Sequence, residues 1–64
     1  MEPQEYAKSL YDRFNSMRTA VKEERLRPIF LGAKQAVAEG NLEPEVKKEM
    51  IAAYEIAEKQ LFGM

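Results

Sequence analysis

Residues 7–21, AKSLYDRFNSMRTAV, carry an apolar residue at every third or fourth position. This spacing collects the apolar side chains on one face, as in a helix that packs against a partner helix. Continuing the pattern brings Glu24 and then Pro28 onto the same face, so the apolar stripe ends near residue 21. The sequence therefore predicts a first helix with these inward residues: Ala7, Leu10, Phe14, Met17 and Val21.

Each of the three prolines, Pro3, Pro28 and Pro44, stands where a helix could begin. Proline suits the first helical turn because the N–H that it lacks has no intrahelical partner there, and because its fixed φ is already helical. On this basis we predict three helices, over about residues 3–22, 28–39 and 44–62.

The segment before Pro28 is ambiguous. Residues 23–27 read Glu-Glu-Arg-Leu-Arg, which is good helix-forming sequence. The residue before a proline nevertheless avoids the helical region, and Pro28 removes one backbone hydrogen bond. The chain either turns here or forms one long helix that is kinked near Pro28, and we favour the turn.

Two glycines stand where helices are expected to end. A residue in the left-handed conformation commonly closes a helix, and glycine adopts that conformation without steric cost. Gly40 and Gly63 follow the second and third predicted helices. The connections are therefore short, and the expected fold is all-α: a small three-helix hairpin or bundle that forms a single domain over residues 1–64.

The third predicted helix carries an apolar face of its own. Its start is marked by Leu42-Glu43-Pro44-Glu45, directly after the turn at Gly40. Two isoleucines, Ile51 and Ile56, lie off the main apolar face. The inward residues are expected to be Val46, Met50, Ala53 or Tyr54, Ala57 and Leu61.

The second predicted helix is apolar nearly all round. Eight of the ten residues in 29–38 are apolar or glycine. Such a helix is buried on more than one side, and in a chain with only two other helices we expect the extra side to meet another subunit or a protein partner. The expected interface residues are Ile29, Phe30, Leu31, Ile51, Ile56 and Phe62, and Met64 belongs to the same group of apolar residues. Some members of this group could instead fill the core of one chain.

Composition restricts the chemistry. The chain has 64 residues, no cysteine and no histidine. Disulfides and thiolate metal sites are therefore excluded, and the commonest general base and metal ligand is missing. Pairs of glutamates such as Glu45 and Glu49 are interpreted as solvated helix surface, so we expect no metal site, no cofactor and no enzymatic activity. A core this small gives only marginal stability, and small domains usually gain more from disulfides, a metal or oligomerisation. Since the first two are not expected here, we expect a homo-oligomer.

The first residues, Met1-Glu2-Pro3, are acidic where a signal peptide would be basic. The longest purely apolar run is only a few residues long, which is too short for a membrane span. We therefore expect no membrane association and a cytoplasmic location.

Basic residues are concentrated in the first half of the chain. Residues 8–34 carry seven basic and three acidic side chains, and all four arginines lie within residues 13–27. Arginine binds phosphate groups bidentately, and the N-terminus of the second helix could itself attract an anion. The candidate anion-binding or ligand-binding residues are Arg18, Lys22, Arg25 and Arg27, with Tyr11 or Tyr6 available to stack on a base.

The same basic residues also have a purely structural interpretation. Residues 35–64 carry six acidic side chains and three lysines, so the arginines could form a solvated face with salt bridges to this acidic half. A formal net charge of −1 does not favour duplex nucleic acid, because proteins that bind it carry a net basic surface. A compact phosphate-bearing ligand held between subunits fits the arginines better.

Three functional hypotheses follow. The first is a small non-enzymatic protein that self-associates and regulates or inhibits another protein by binding it. The second is an oligomer that sequesters a phosphate-bearing small molecule such as a signalling nucleotide, as a phage or mobile-element counter-defence protein would. The third is a nucleic-acid-binding accessory protein. In size and helical-hairpin character the chain resembles small dimeric bacterial and phage regulators, a similarity that implies a fold and no function.

Overall fold

The computed structural model describes residues 2–63, which form three α-helices. They are α1 (Pro3–Met17), α2 (Glu23–Glu39) and α3 (Pro44–Phe62). The expected all-α fold is confirmed, and α1 and α2 are separate helices, not one helix kinked near Pro28. Met1 and Met64 lie outside the described residues, and with them the expected apolar contribution of Met64.

Two of the three prolines begin helices as expected. Pro3 and Pro44 occupy the first helical turn of α1 and α3, each preceded by a glutamate in extended backbone. Glu5 and Glu45 lie in the same first turns, where a carboxylate complements the positive end of the helix dipole.

The expectation that Pro28 begins the second helix is wrong, because Pro28 lies inside α2. The first helix ends at Met17, five residues before its expected end, and the chain turns over residues 18–22. In this turn the Val21 N–H donates to the Met17 carbonyl oxygen, with 2.8 Å between nitrogen and oxygen. Glu23 and Glu24 then occupy the first turn of α2 and complement its dipole, so the start signal lies upstream of the proline.

The two glycines behave differently. Gly63 closes α3 in the left-handed conformation, with φ of 69°, as predicted. Gly40 has φ of −68° and ψ of 163°, so the left-handed prediction is wrong there. The chain leaves α2 in extended backbone instead. A Cβ at Gly40 would lie 3.0 Å from the Ala36 carbonyl oxygen, so it is space, and not φ, that favours glycine at this position.

The core is built around Phe30, which has no exposed surface. Its ring makes edge-to-face contacts with Phe14, Tyr54 and Phe62, at centroid distances of 4.9, 5.4 and 5.7 Å. Such aromatic pairs contribute about 0.5–1.5 kcal/mol each beyond area burial. The buried core residues are Ala7, Leu10, Phe14, Leu26, Phe30, Ala53, Tyr54, Ala57 and Leu61.

The predicted apolar faces of α1 and α3 largely agree with this core. Met17, the last residue of α1, and Val21, in the turn that follows, are half-buried and pack against it. On α3, Val46 is 37% exposed, so its predicted inward position is wrong. Pro3, at the start of α1, lies beside Glu49 and its neighbours on α3. Val46 therefore lies at the edge of the bundle, next to the first residue of α1.

The contacting residues give the helix directions. Tyr6 of α1 meets Tyr54 of α3, and Arg18, just after α1, meets Leu61 near the end of α3, so these two helices run parallel. The α2 helix runs antiparallel to α3, since Arg27 meets Phe62 and Lys34 meets Glu58. The bundle thus goes up, down and up, and leaves the outer faces of α2 and α3 without a helix against them.

Candidate binding surfaces

Arg18 has partners within its own chain. Its guanidinium donates a hydrogen bond to the carbonyl oxygen of Leu61 and forms an ion pair with Glu23, with 3.6 Å between nitrogen and oxygen. The Leu61 carbonyl belongs to the last turn of α3, where carbonyl groups lack intrahelical partners. Arg18 therefore ties the α1–α2 turn to the end of α3.

Arg27 is also engaged within the chain. Its guanidinium carbon lies 5.2 Å from the centre of the Phe62 ring, which is cation–π geometry. Because Phe62 in turn contacts Phe30, the arginine covers the edge of the aromatic core.

Lys22 and Arg25 are the two candidate cations that share a surface. Together with Ala20, Val21 and Glu24 they line a depression of about 410 Å³ at the start of α2. The Lys22 carbonyl accepts hydrogen bonds from the Arg25 and Leu26 N–H groups, and the Lys22 side chain makes no cap. Glu24 places a carboxylate at the same depression, which weakens its attraction for anions.

The tyrosines lie apart from these cations. Tyr11 is half-buried against the core from α1, and Tyr6 makes an edge-to-face contact with Tyr54 at a centroid distance of 6.2 Å. Burial, the nearby charge of Tyr6 and a hydrogen bond with Tyr6 raise the pKa of Tyr54 above its ordinary value of 10.0, and Arg13 partly offsets this. Tyr54 is therefore neutral at physiological pH and serves as a core residue.

The predicted anion-binding set is thus divided between roles. The α1 helix ends at Met17, so Arg18, Lys22 and Arg25 do not share one helix: they lie in a turn, a helix cap and a first helical turn. Only Lys22 and Arg25 line the depression at the start of α2.

The predicted interface residues are divided as well. Phe30 is buried in the core of the single chain, so its assignment to an interface is corrected: it has no surface to offer a partner. Ile56 and Phe62 are half-buried and pack against the core. Ile29 and Leu31 are each 44% exposed on α2, on either side of the buried Phe30.

The outer face of α2 lies between Ile29 and Leu31. At about 100° per residue, Gly32 and Ala36 fall on the arc between them. Both are exposed, and nothing lies within 4 Å of a Cβ built at Gly32. Two apolar side chains therefore flank a strip where another backbone has room to approach. We call this surface, formed by Ile29, Leu31, Gly32 and Ala36, the α2 face.

A second surface lies on the outer side of α3. It is a mostly apolar groove of about 550 Å³, and Ile51 forms part of its floor. We call it the α3 groove, and the residues that line it are Leu42, Pro44, Lys47, Lys48, Ile51, Ala52 and Glu55.

Sequence reasoning missed two exposed apolar residues, Leu42 and Val46, which are 40% and 37% exposed. Leu42 lies in the connection between α2 and α3, where an apolar residue is itself a signal of a contact surface. Val46 shares the period of the inward face of α3, so no sequence signal separated it from the core.

Comparison with protein-family models, with curated protein sequences and with solved structures gives no significant match. Across residues 2–63, no group of three or more acidic side chains is arranged to hold a metal ion. None of the helices in that range combines the length and apolar character needed to cross a bilayer.

Proposed function

We propose that this chain is a non-enzymatic helical protein that self-associates and regulates or inhibits another protein by binding it. The observation that carries the proposal is the α2 face, where Ile29 and Leu31 are each nearly half exposed on a helix anchored by the buried Phe30. Anchoring matters because a side chain on a rigid helix loses little freedom when a partner binds.

The α2 face suits a helical or extended apolar segment of the partner. Gly32 and Ala36 allow close backbone approach, and the flanking Ile29 and Leu31 supply apolar area. Such helix-in-groove recognition uses apolar anchors at helical spacing.

The proposal is tested by cross-linking tagged protein in cells and quantifying the captured proteins by mass spectrometry. Leu31→Glu should abolish capture of the partner, because it places a charge in the apolar contact. Gln60→Glu is the matched control, since it adds the same negative charge at an exposed position on α3, away from the α2 face. Both variants should retain the far-ultraviolet circular dichroism of the wild type. If every protein captured by the wild type is captured equally by Leu31→Glu, the α2 face is not the binding surface.

A second candidate function is binding of a phosphate-bearing small molecule. It is favoured by one observation: Lys22 and Arg25 line the same depression at the start of α2. Thermal-shift measurements with nucleotides and with pyrophosphate test it. A ligand that stabilises the wild type but not Lys22→Gln/Arg25→Gln supports this function. Stabilisation that survives the double substitution, or none for any ligand, contradicts it. An oligonucleotide at low salt extends the same assay to nucleic acid.

A further inference from the structure

Three charged residues line the α3 groove. Two of them, Lys48 and Glu55, are placed symmetrically about its centre, and the third, Lys47, lies beside Lys48 at the same end. Lys48 lies three residues before Ile51, and Glu55 lies three residues after Ala52. All four line the groove, at the helical spacing that keeps side chains on one stripe. The cation at one end and the anion at the other are thus equally distant from the Ile51–Ala52 centre.

Neither Lys48 nor Glu55 forms an ion pair with another residue in the part of the chain that the structure describes. Across residues 2–63, the ion pairs are Arg18 with Glu23 and Lys34 with Glu58. Lys48 and Glu55 are both exposed, and they lie about 10 Å apart along the helix, which is too far for them to pair with each other. Ile51 and Ala52 between them are only partly covered.

We propose that two copies of this chain pair antiparallel through their α3 grooves, with the two-fold axis between Ile51 and Ala52. Ile51 of each copy then packs on Ala52 of the other. Lys48 of each copy meets Glu55 of the other, so two ion pairs form by symmetry. A two-fold interface requires this reciprocity, in which residue i contacts residue j and j contacts i.

The charges select the antiparallel direction. In a parallel pairing each Lys48 would face the other Lys48, and each Glu55 the other Glu55, and like charges at an interface are unfavourable. The antiparallel arrangement also opposes the two helix dipoles favourably. Ala52 is small, so the two helices can approach closely at the axis.

The size of the surface sets the expected affinity. The α3 helix has 19 residues and is therefore about 28 Å long. One helix face is smaller than the roughly 800 Å² per partner of a standard interface. The pairing should therefore be weak, and visible at tens to hundreds of micromolar protein.

This inference rests on the self-association proposed above, and a charge-exchange experiment tests it separately. Lys48→Glu gives copies whose facing groups are all acidic, and Glu55→Lys gives copies whose facing groups are all basic. Each variant alone should self-associate more weakly than the wild type, on the order of tenfold. An equimolar mixture should regain wild-type affinity, since both ion pairs re-form in the mixed dimer.

Sedimentation equilibrium and native mass spectrometry give the readout, and Lys8→Glu is the control for net charge because Lys8 lies on α1. Far-ultraviolet circular dichroism checks that the exposed substitutions leave the helices intact. A wild type that stays monomeric at these concentrations overturns self-association, and this inference with it. If the wild type self-associates but each charge variant associates as tightly as the wild type does, the α3 pairing is overturned and self-association stands. The same conclusion follows if the mixture is no tighter than either variant alone.

Discussion

The guanidinium of Arg18 donates a hydrogen bond to the carbonyl oxygen of Leu61, a residue 43 positions further along the chain. This contact joins the turn after α1 to the last turn of α3, and the ion pair with Glu23 holds the same guanidinium at the start of α2. One side chain therefore links all three helices at one end of the bundle.

We expect Arg18→Ala to lower the free energy of unfolding by about 1–2 kcal/mol, since a hydrogen bond to a charged donor contributes roughly 1.5–3 kcal/mol and this side chain is partly solvated. Urea denaturation measures the change. Arg25→Ala is the control, because Arg25 is exposed and should change stability by less than about 0.5 kcal/mol. Equal effects of the two substitutions would show that the Leu61 contact does not stabilise the fold.

Phe30 and Leu31 are neighbours in sequence with opposite environments. Truncating a buried phenylalanine costs about 3–5 kcal/mol, which is most of the stability expected of a domain this small. Phe30→Ala should therefore remove the cooperative thermal transition, while Leu31→Ala should keep it with a similar midpoint. The milder Phe30→Leu should retain a transition at lower temperature. If Leu31→Ala lowers the thermal stability more than Phe30→Ala does, Phe30 is not the core residue that the structure describes.

Pro28 lies inside α2, where it cannot donate a hydrogen bond to the Glu24 carbonyl oxygen. Both residues are exposed, so water can hydrate that carbonyl. Pro28→Ala should raise the stability, by up to about 3 kcal/mol on the helix propensity scale. Thermal denaturation monitored at 222 nm checks this. Pro44→Ala is the comparison, because a proline in the first turn is compatible with the helix and its removal should gain little. A destabilised Pro28→Ala would contradict the placement of Pro28 within α2.

The raised pKa of Tyr54 makes stability depend on alkaline pH. Above about pH 10 the unfolded chain has released this proton while the folded chain still holds it, so unfolding releases a proton and the free energy of unfolding falls as pH rises. The stabilisation that comes from the protonated Tyr54 is fully present below about pH 10, and it is lost as the pH rises through the pKa of Tyr54 in the folded chain.

Tyr54→Phe tests this dependence. Urea denaturation at pH 8 and at pH 11 should show a smaller loss of stability between the two values in the variant than in the wild type. The controls are Tyr11→Phe, which should leave the wild-type loss unchanged, and absorbance at 295 nm, which follows tyrosine ionisation directly. An identical loss in Tyr54→Phe and wild type would mean that other groups cause the alkaline sensitivity.

The periodic pattern of residues 7–21 was sufficient to predict the inward face of α1, and Pro44 with Gly63 was sufficient to predict the extent of α3. These signals are local: apolar spacing defines a helix face, and proline and left-handed glycine suit helix ends whatever the rest of the chain does. The all-α class and the short connections follow from the same signals.

Other features were decided only by the tertiary arrangement. The chemistry of Pro28 favours a helix start, yet α2 begins five residues earlier, at Glu23. The earlier start brings Leu26 into the core beside Phe30, and both are fully buried. Val46 has the period of a buried residue but lies at the edge of the bundle, where α1 begins, and it stays exposed. The sequence suggests Arg18 and Arg27 as phosphate-binding residues. In the folded chain Arg18 instead contacts the Leu61 carbonyl oxygen, and Arg27 contacts the Phe62 ring. Periodicity specifies which side chains share a helix face, whereas only the positions of the other helices specify which of those faces is covered.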